Sequence, residues 1–381
     1  MPEKRYLFTP GPTPVPPEVL AVMAEPIVHH RGPDFAQTYE RVLERLKEVF
    51  RTEDDVLLFT ASGTGAFESA VANLVDPGER HLVVSAGNFG ERWAEMIAAY
   101  GADLVHLRLP WGETPTPEGL AAELERSGRV KAVYLVHSET STGVVADIEA
   151  LARVAKDAGA LVVVDAVSSL GAVPLETAGW GIDVVVSGSQ KALMAPPGLG
   201  MASVSPAALE AAGSAPRYYF DWQRTLVAQR KLDAPFTPAV TLVKALDVAL
   251  GLILDEGLEA AFDRHVRLGR ACREGIKAMG LELASPDEDR AAVVTTVRAP
   301  EELDVKAFLL DLRDRLGVQL IGGQGEWAGK VFRIGHIGYF DLFDITTALA
   351  AVEDGLAAAG VAVDRGVAVS AALNAFEHAA A

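Results

Sequence analysis

The sequence predicts an α/β fold: a mostly parallel sheet of roughly seven strands in a large first part, followed by a smaller α+β part. Three observations carry this expectation. Strand-like runs such as "VLLFT", "HLVVSA", "LVVVDAV" and "IDVVVSG" are apolar throughout instead of alternating, as in strands covered by helices on both faces. Helix-like segments separate most of them, and βαβ connections make neighbouring strands parallel. Near "LDVALGLILDEGLEAAF" the rhythm changes to long helices, which sets a division around Asp255–Gly257.

The elements follow in order. The opening "MPEKRYLFTPGPTPVPPEVL" holds six prolines before Glu18, so residues 1–17 are expected as an extended arm and not a helix. Phe35–Phe50 has helical spacing. Val56–Thr60 reads as a strand leading into a helix from about Gly65, and His81–Ala86 as a strand leading into one from about Phe89. "ADLVHLRL", "VKAVYLVH" and "LVVVDAV" continue the pattern, with a helix over Ile148–Gly159 between the last two. "IDVVVSG" and "GLGMASVS" complete the sheet of a large unit spanning 18–256. Residues 257–381 form the smaller unit, with short strands in "AAVVTTV" and "KVFRIGHIG" and one weak helix in the Ala-rich stretch Ala357–Ala381.

Composition narrows the function. A net charge of −18 repels phosphate backbones and anionic lipid, so neither nucleic acid nor a membrane surface is an expected partner. A local cationic pocket can still take an anionic substrate. Cys272 is the only cysteine, which excludes disulfides, thiolate zinc sites and iron–sulfur clusters, and no metal is expected. It lies in the amphipathic run "RHVRLGRACREGIKAM" and reads as a small half-buried helix residue, not a nucleophile. No basic-then-apolar leader opens the chain and no apolar run is long enough to span a bilayer, so a cytoplasmic protein is expected.

Three motifs carry chemistry, and each has a plainer reading. "TASGTGAFESA" (Thr60–Ala70) follows a strand and opens a helix, where backbone N–H groups and the dipole suit a phosphate. It is equally a tight turn with Ser62 or Thr64 as N-cap. Its Gly63-Thr64-Gly65 falls short of a dinucleotide fingerprint, because Glu68 stands where the third glycine belongs. Asp165, in "VVVDAVSSLG", ends a strand at the edge where open α/β sheets bind ligands, though alone it would read as a helix cap. Lys191, in "SGSQKALMAPPG", follows a strand, has no acidic neighbour in sequence and precedes a helix-breaking proline pair. Together they fit pyridoxal phosphate. That cofactor needs a lysine, a carboxylate against its ring nitrogen and a phosphate cradle, and gains from a stacked aromatic ring such as Phe89.

On these residues the chain resembles the fold-type I, pyridoxal-phosphate-dependent aminotransferases of class V, and among them the alanine–glyoxylate and serine–pyruvate or serine–glyoxylate enzymes. The resemblance runs from "TPGPTPVP" through "HSETSTG", "VDAVSSLG" and "SGSQKALMAPPG" to "GGQGEWAGKVFRIGHIG". It implies that Lys191 attaches the cofactor and that Asp165 pairs with its ring nitrogen. It implies a phosphate site of Ser62, Gly63, Thr64 and Gln190, ring contacts from Phe89 and Val167, and an approach of Thr140 to the ring hydroxyl. It implies a homodimer in which Thr237 of "PFTPAV" reaches the partner's phosphate, and it makes Arg333 of "VFRIG" the clamp on the substrate carboxylate. Two departures stand out: Phe89 replaces the tryptophan of some relatives, and "DAPF" lacks the tyrosine some have just before Thr237.

The resemblance implies amino transfer from alanine or serine to glyoxylate or pyruvate by a ping-pong mechanism, with Lys191 as general base once displaced. Aspartate, ureidoglycine and aminoethylphosphonate transaminases remain alternatives; aspartate needs a second cation, for which Arg31 and Arg224 are candidates. His29, His30 and His137 have no assigned role, and His30 with Arg31 could line the entrance. A cysteine desulfurase would need a mobile-loop cysteine and a dehydrogenase a complete fingerprint. An accessory subunit on the same fold is the non-enzymatic reading.

Overall fold

The computed structural model describes residues 4–378, so the outermost residues of the expected arm and of the Ala-rich end lie outside it. Its main sheet has seven strands: β1 (Asp55–Thr60), β2 (Arg80–Ser85), β3 (Asp103–Arg108), β4 (Ala132–Val136), β5 (Leu161–Asp165), β6 (Val184–Gly188) and β7 (Leu199–Val204). The order across the sheet is β1-β7-β6-β5-β4-β2-β3. All pairings are parallel except those of β7, which runs antiparallel to both β1 and β6. The chain is therefore an α/β protein with a mostly parallel sheet, as the unbroken apolar runs predict.

Those runs are apolar because both faces are covered. Alternate residues of each strand enter different cores. Val56, Leu58, Val133, Leu135, Val162 and Val164 pack under α1 (Pro33–Phe50) and under the helices Pro117–Ser127, Ile148–Asp157 and Val240–Glu256. Leu57, Phe59, Ala132, Tyr134 and Val163 face α2 (Gly63–Leu74) and α3 (Asn88–Ala99) on the other side. There Phe67 and Trp93 stack with ring centroids 4.2 Å apart.

A separate core forms behind the sheet. Phe8, Leu268, Ile276, Phe308, Leu312, Phe332, Ile334 and Leu349 pack around a second, three-stranded sheet, β8 (Val294–Arg298), β9 (Ile321–Gly322) and β10 (Val331–Gly335), with β10 in the middle. The helix Val240–Glu256 contributes to the first core and Leu258–Ala278 to the second, and Gly257 between them has φ 87°. Cys272 is fully buried here rather than half-buried, and its thiol meets the Thr295 side chain on β8. Burial raises its thiol to about 11, so it is a packing residue.

The opening segment departs from the expected plain arm in two ways. Tyr6–Leu7 pairs in parallel with Val318–Gln319, and Phe8 belongs to the second core, so the arm is sewn to the C-terminal unit. A helix then starts at Pro17 and runs to Met23, inside the proline-rich stretch. Proline is tolerated at the first helical position, where its missing N–H would have had no partner. Among the described residues no helix is long and apolar enough to cross a membrane.

Candidate active site

The carboxyl ends of β1, β5 and β6 open on one cavity of about 270 Å³, lined by Ser62, Gly63, Thr64, Phe89, Arg92, Asp165, Val167, Ser168, Gln190, Lys191 and the Gly11-Pro12 segment, among others. Eight residues singled out from sequence meet here: Ser62, Gly63, Thr64, Phe89, Asp165, Val167, Gln190 and Lys191. Parallel strands make this possible, since each ends at the same edge of the sheet.

Ser62 is the N-cap of α2, but its side chain makes no capping bond. Elsewhere Thr116, Asp147, Ser205, Asp221, Asp304 and Asp341 do cap their helices through side chains. The uncapped start of α2, with the Ser62 hydroxyl beside it, faces the cavity as a set of donors suited to an anion. Gly63 is required for closeness: a Cβ there would come within 2.9 Å of Val167 Cγ2. Glu68 turns away and accepts a 3.0 Å bond from the Tyr100 hydroxyl.

Lys191 sits in the connection from β6 to β7. Ser189 staples that loop, donating to the Pro196 carbonyl at 2.6 Å, and Thr13 Oγ1 donates to the Lys191 carbonyl at 2.9 Å. The amine is buried and donates to the Pro10 carbonyl at 2.8 Å. Burial pulls its pKa down to about 8; Asp165 works against this, and Arg333 and Arg92 with it. Asp165, also buried, is pushed up to about 7 by desolvation, and its Oδ1 accepts the Val167 N–H at 2.8 Å. A lysine that releases its proton near neutrality thus shares the cavity with a carboxyl held largely neutral by burial, and among the described residues the two form no direct ion pair.

Arg333 on β10 is fully buried. Its Nε and Nη2 donate to the Gly322 carbonyl at 3.1 and 2.8 Å, and Nη1 to the Thr140 carbonyl at 2.6 Å. One hydrogen on each terminal nitrogen remains, the pair that a carboxylate accepts. No carboxylate is bonded to this guanidinium among the described residues, and desolvation draws it down to about 10. Thr140 and Arg333 are therefore joined to each other; neither lines the cavity, though the Arg333 charge acts on Lys191.

Thr237 lies elsewhere, exposed beside a shallow depression formed with Thr60, Tyr219, Phe236 and Pro238. Arg31 pairs with Asp233 at 3.5 Å, and Arg224 lies over the Tyr218 ring at 4.3 Å; both are exposed and outside the cavity. His137 is buried under the site, its backbone N–H bonded to the Asp165 carbonyl, and its ring is drawn down to about 4 by burial.

Three features escaped the sequence reading. Gly11 carries φ +144°, and a Cβ there would fall 2.3 Å from Lys191 Cε. Glu139, buried, accepts from the Phe89 and Gly90 N–H groups at 2.9 and 3.1 Å and from the Ser141 hydroxyl at 2.5 Å, while Ser141 Oγ accepts the Asn88 N–H. It thereby caps α3, the helix that presents Phe89, from 50 residues away. Arg92, one turn beyond Phe89, donates to Thr64 Oγ1 at 3.0 Å. The spacing of Phe89 and Arg92 on one helical face was the available signal for the last.

The chain is similar to known proteins over nearly its whole length. The family model described as aminotransferase class-V matches residues 5–325. The chain is 37% identical to a serine–glyoxylate aminotransferase of Methylorubrum extorquens, covering 97% of this chain and 96% of that one. It is 42% identical to a protein of Synechococcus named soluble hydrogenase, small subunit, over 94% of this chain and 95% of the other. Among solved structures, the ureidoglycine–glyoxylate aminotransferase of Bacillus subtilis superposes with a TM-score of 0.94 at 31% identity, covering 99% of each chain.

Proposed function

We propose that this chain, which belongs to the class-V aminotransferases, holds pyridoxal 5′-phosphate in the Lys191 cavity for the amino transfer it performs between small amino acids and 2-oxo acids. The single observation that carries the reading is the charge arrangement. A buried amine near neutrality and a buried carboxyl held largely neutral line one cavity, and a buried arginine without a carboxylate partner lies close enough to act on that amine. Each lacks what such a substrate and cofactor would bring.

The residues present fit the group. The uncapped α2 start with Ser62, Gly63, Thr64 and Gln190 would hold the phosphate, and Gln190 Oε1 is buried without a partner, consistent with an amide that awaits a ligand. Phe89 and Val167 would cover the ring faces, with Thr140 toward the ring hydroxyl. Bound there, the cofactor supplies an aldehyde carbon to which amines attach and a cationic ring that takes up the electron pair left at the substrate's Cα.

The chain's own residues do the rest. Asp165 would hold the proton of the ring nitrogen, whose charge would draw the carboxyl back toward ionisation. Lys191 would be the amine that holds the aldehyde end, and its free form has a pKa suited to lifting the substrate's Cα proton near neutrality. Arg333 takes the substrate carboxylate with its remaining fork. Donor and acceptor use that fork in turn, so the kinetics are ping-pong. One buried fork, with Arg31 and Arg224 placed elsewhere, favours monocarboxylates: alanine or serine as donor, glyoxylate or pyruvate as acceptor. Exposed Thr237, away from its own cavity, is available to a partner's phosphate in a homodimer.

The test is direct. Purified protein should be yellow, and borohydride should fix the colour to the peptide containing Lys191. Lys191→Ala should abolish turnover in a donor-by-acceptor screen. Colour fixed to any other lysine would refute the assignment.

A further inference from the structure

We propose that Arg92 is the counter-charge of the cofactor's phosphate, an assignment that rests on the reading of the cavity given above. The cradle as read from sequence contains only neutral donors: Ser62, Gly63, Thr64, Gln190 and the end of a helix. A phosphate monoester carries between one and two negative charges at neutral pH, and a charge removed from water needs a charged partner. Lys191 is committed near Asp165 and the Pro10 carbonyl. Arg92 is the other cation among the described residues that line the cavity.

Its geometry suits the task. Nη1 donates to Thr64 Oγ1 at 3.0 Å, which sets the guanidinium against the cradle itself. Glu91, its acidic neighbour in the chain, is not its partner: that carboxylate receives Arg108 at 2.9 and 2.8 Å. The guanidinium lies 4.8 Å over the Phe89 ring, which restricts its rotation, and Glu139 holds the first turn of the same helix. A fork held on one side by Thr64 and flanked by an aromatic face retains donors for phosphate oxygens. Arg92 thus ties the phosphate end of the cavity to the ring that stacks at its other side.

The experiment compares two probes on full-length protein freed of cofactor, pyridoxal 5′-phosphate and pyridoxal, followed by absorbance. Wild type should strongly prefer the phosphorylated probe. Arg92→Gln should weaken pyridoxal 5′-phosphate about ten- to hundredfold, the loss expected for charged hydrogen bonds, and leave pyridoxal unchanged. Arg92→Lys, which keeps the charge without the fork, should fall between them and serves as the readout if the Gln variant does not fold. Equal weakening of both probes would assign Arg92 to packing of Phe89 alone and overturn the proposal, as would no weakening of either. A wild type without preference for the phosphorylated probe would instead overturn the underlying reading of the cavity, whatever Arg92 does.

Discussion

Replacing Asp165 by Asn removes one ionisable group and almost no volume, and the variant's Oδ1 can still accept the Val167 N–H. In the cofactor-free protein the carboxyl is raised from 3.8 to about 7, chiefly by burial. A group whose folded pKa is raised contributes stability that is present below its unfolded pKa and is lost as pH climbs through the folded one. The window here is therefore from about pH 4 to about pH 7. At about 1.36 kcal/mol per unit, some three units amount to up to about 4 kcal/mol. Urea unfolding of both proteins, stripped of cofactor, across this range isolates the effect because all other carboxylates cancel in the difference. Asp165→Asn should gain on wild type steadily as pH rises from about 4 to about 7. It should transaminate poorly throughout, since a neutral amide cannot hold the ring proton. Restoring cofactor to wild type should flatten its slope, because a cation against Asp165 pulls the pKa back down. Parallel stability curves would show that this carboxyl is not held neutral by burial and refute the electrostatic argument.

Two further outcomes are expected. Arg333→Lys keeps charge but cannot make the fork, so kcat/KM for alanine should fall about ten- to hundredfold, whereas that for ethylamine, which has no carboxylate, should not change; stopped-flow half-reactions with each donor check this, and equal losses would remove Arg333 from the substrate. Gly11→Ala places a Cβ 2.3–2.5 Å from the end of Lys191 at a backbone angle of +144°, so borohydride labelling of Lys191 should be lost while the circular dichroism spectrum is kept.

What the sequence made legible follows from how locally each feature is encoded. Asp165 ends an apolar strand, Phe89, Gln190 and Lys191 stand a few residues beyond one, and the small residues around Gly63 spell their own turn. Strand direction is not written in periodicity, so the antiparallel course of β7 could not be read from "GLGMASVS". The Pro10–Lys191 contact joins residues 181 apart, and the Glu139 cap residues 50 apart. Neither leaves a local pattern. The full burial of Cys272 is likewise a tertiary outcome: its thiol meets Thr295 of β8, a contact that the spacing within its own helix does not reveal.

The opening arm has a mechanical consequence. The Gly335 N–H is bonded to the Phe8 carbonyl at 2.7 Å, two residues from Arg333 at one end and two from Pro10 at the other. The Pro10 carbonyl in turn accepts from the free Lys191 amine. The proposed clamp for the substrate and the contact on the amine are thus parts of one stiff piece, fixed to the C-terminal core through Phe8 and the pairing at Val318–Gln319. A swing of that core that carried Arg333 onto a carboxylate would drag the Pro10 carbonyl with it. Capture of the substrate and release of the lysine would then be geared together, one stroke driving both.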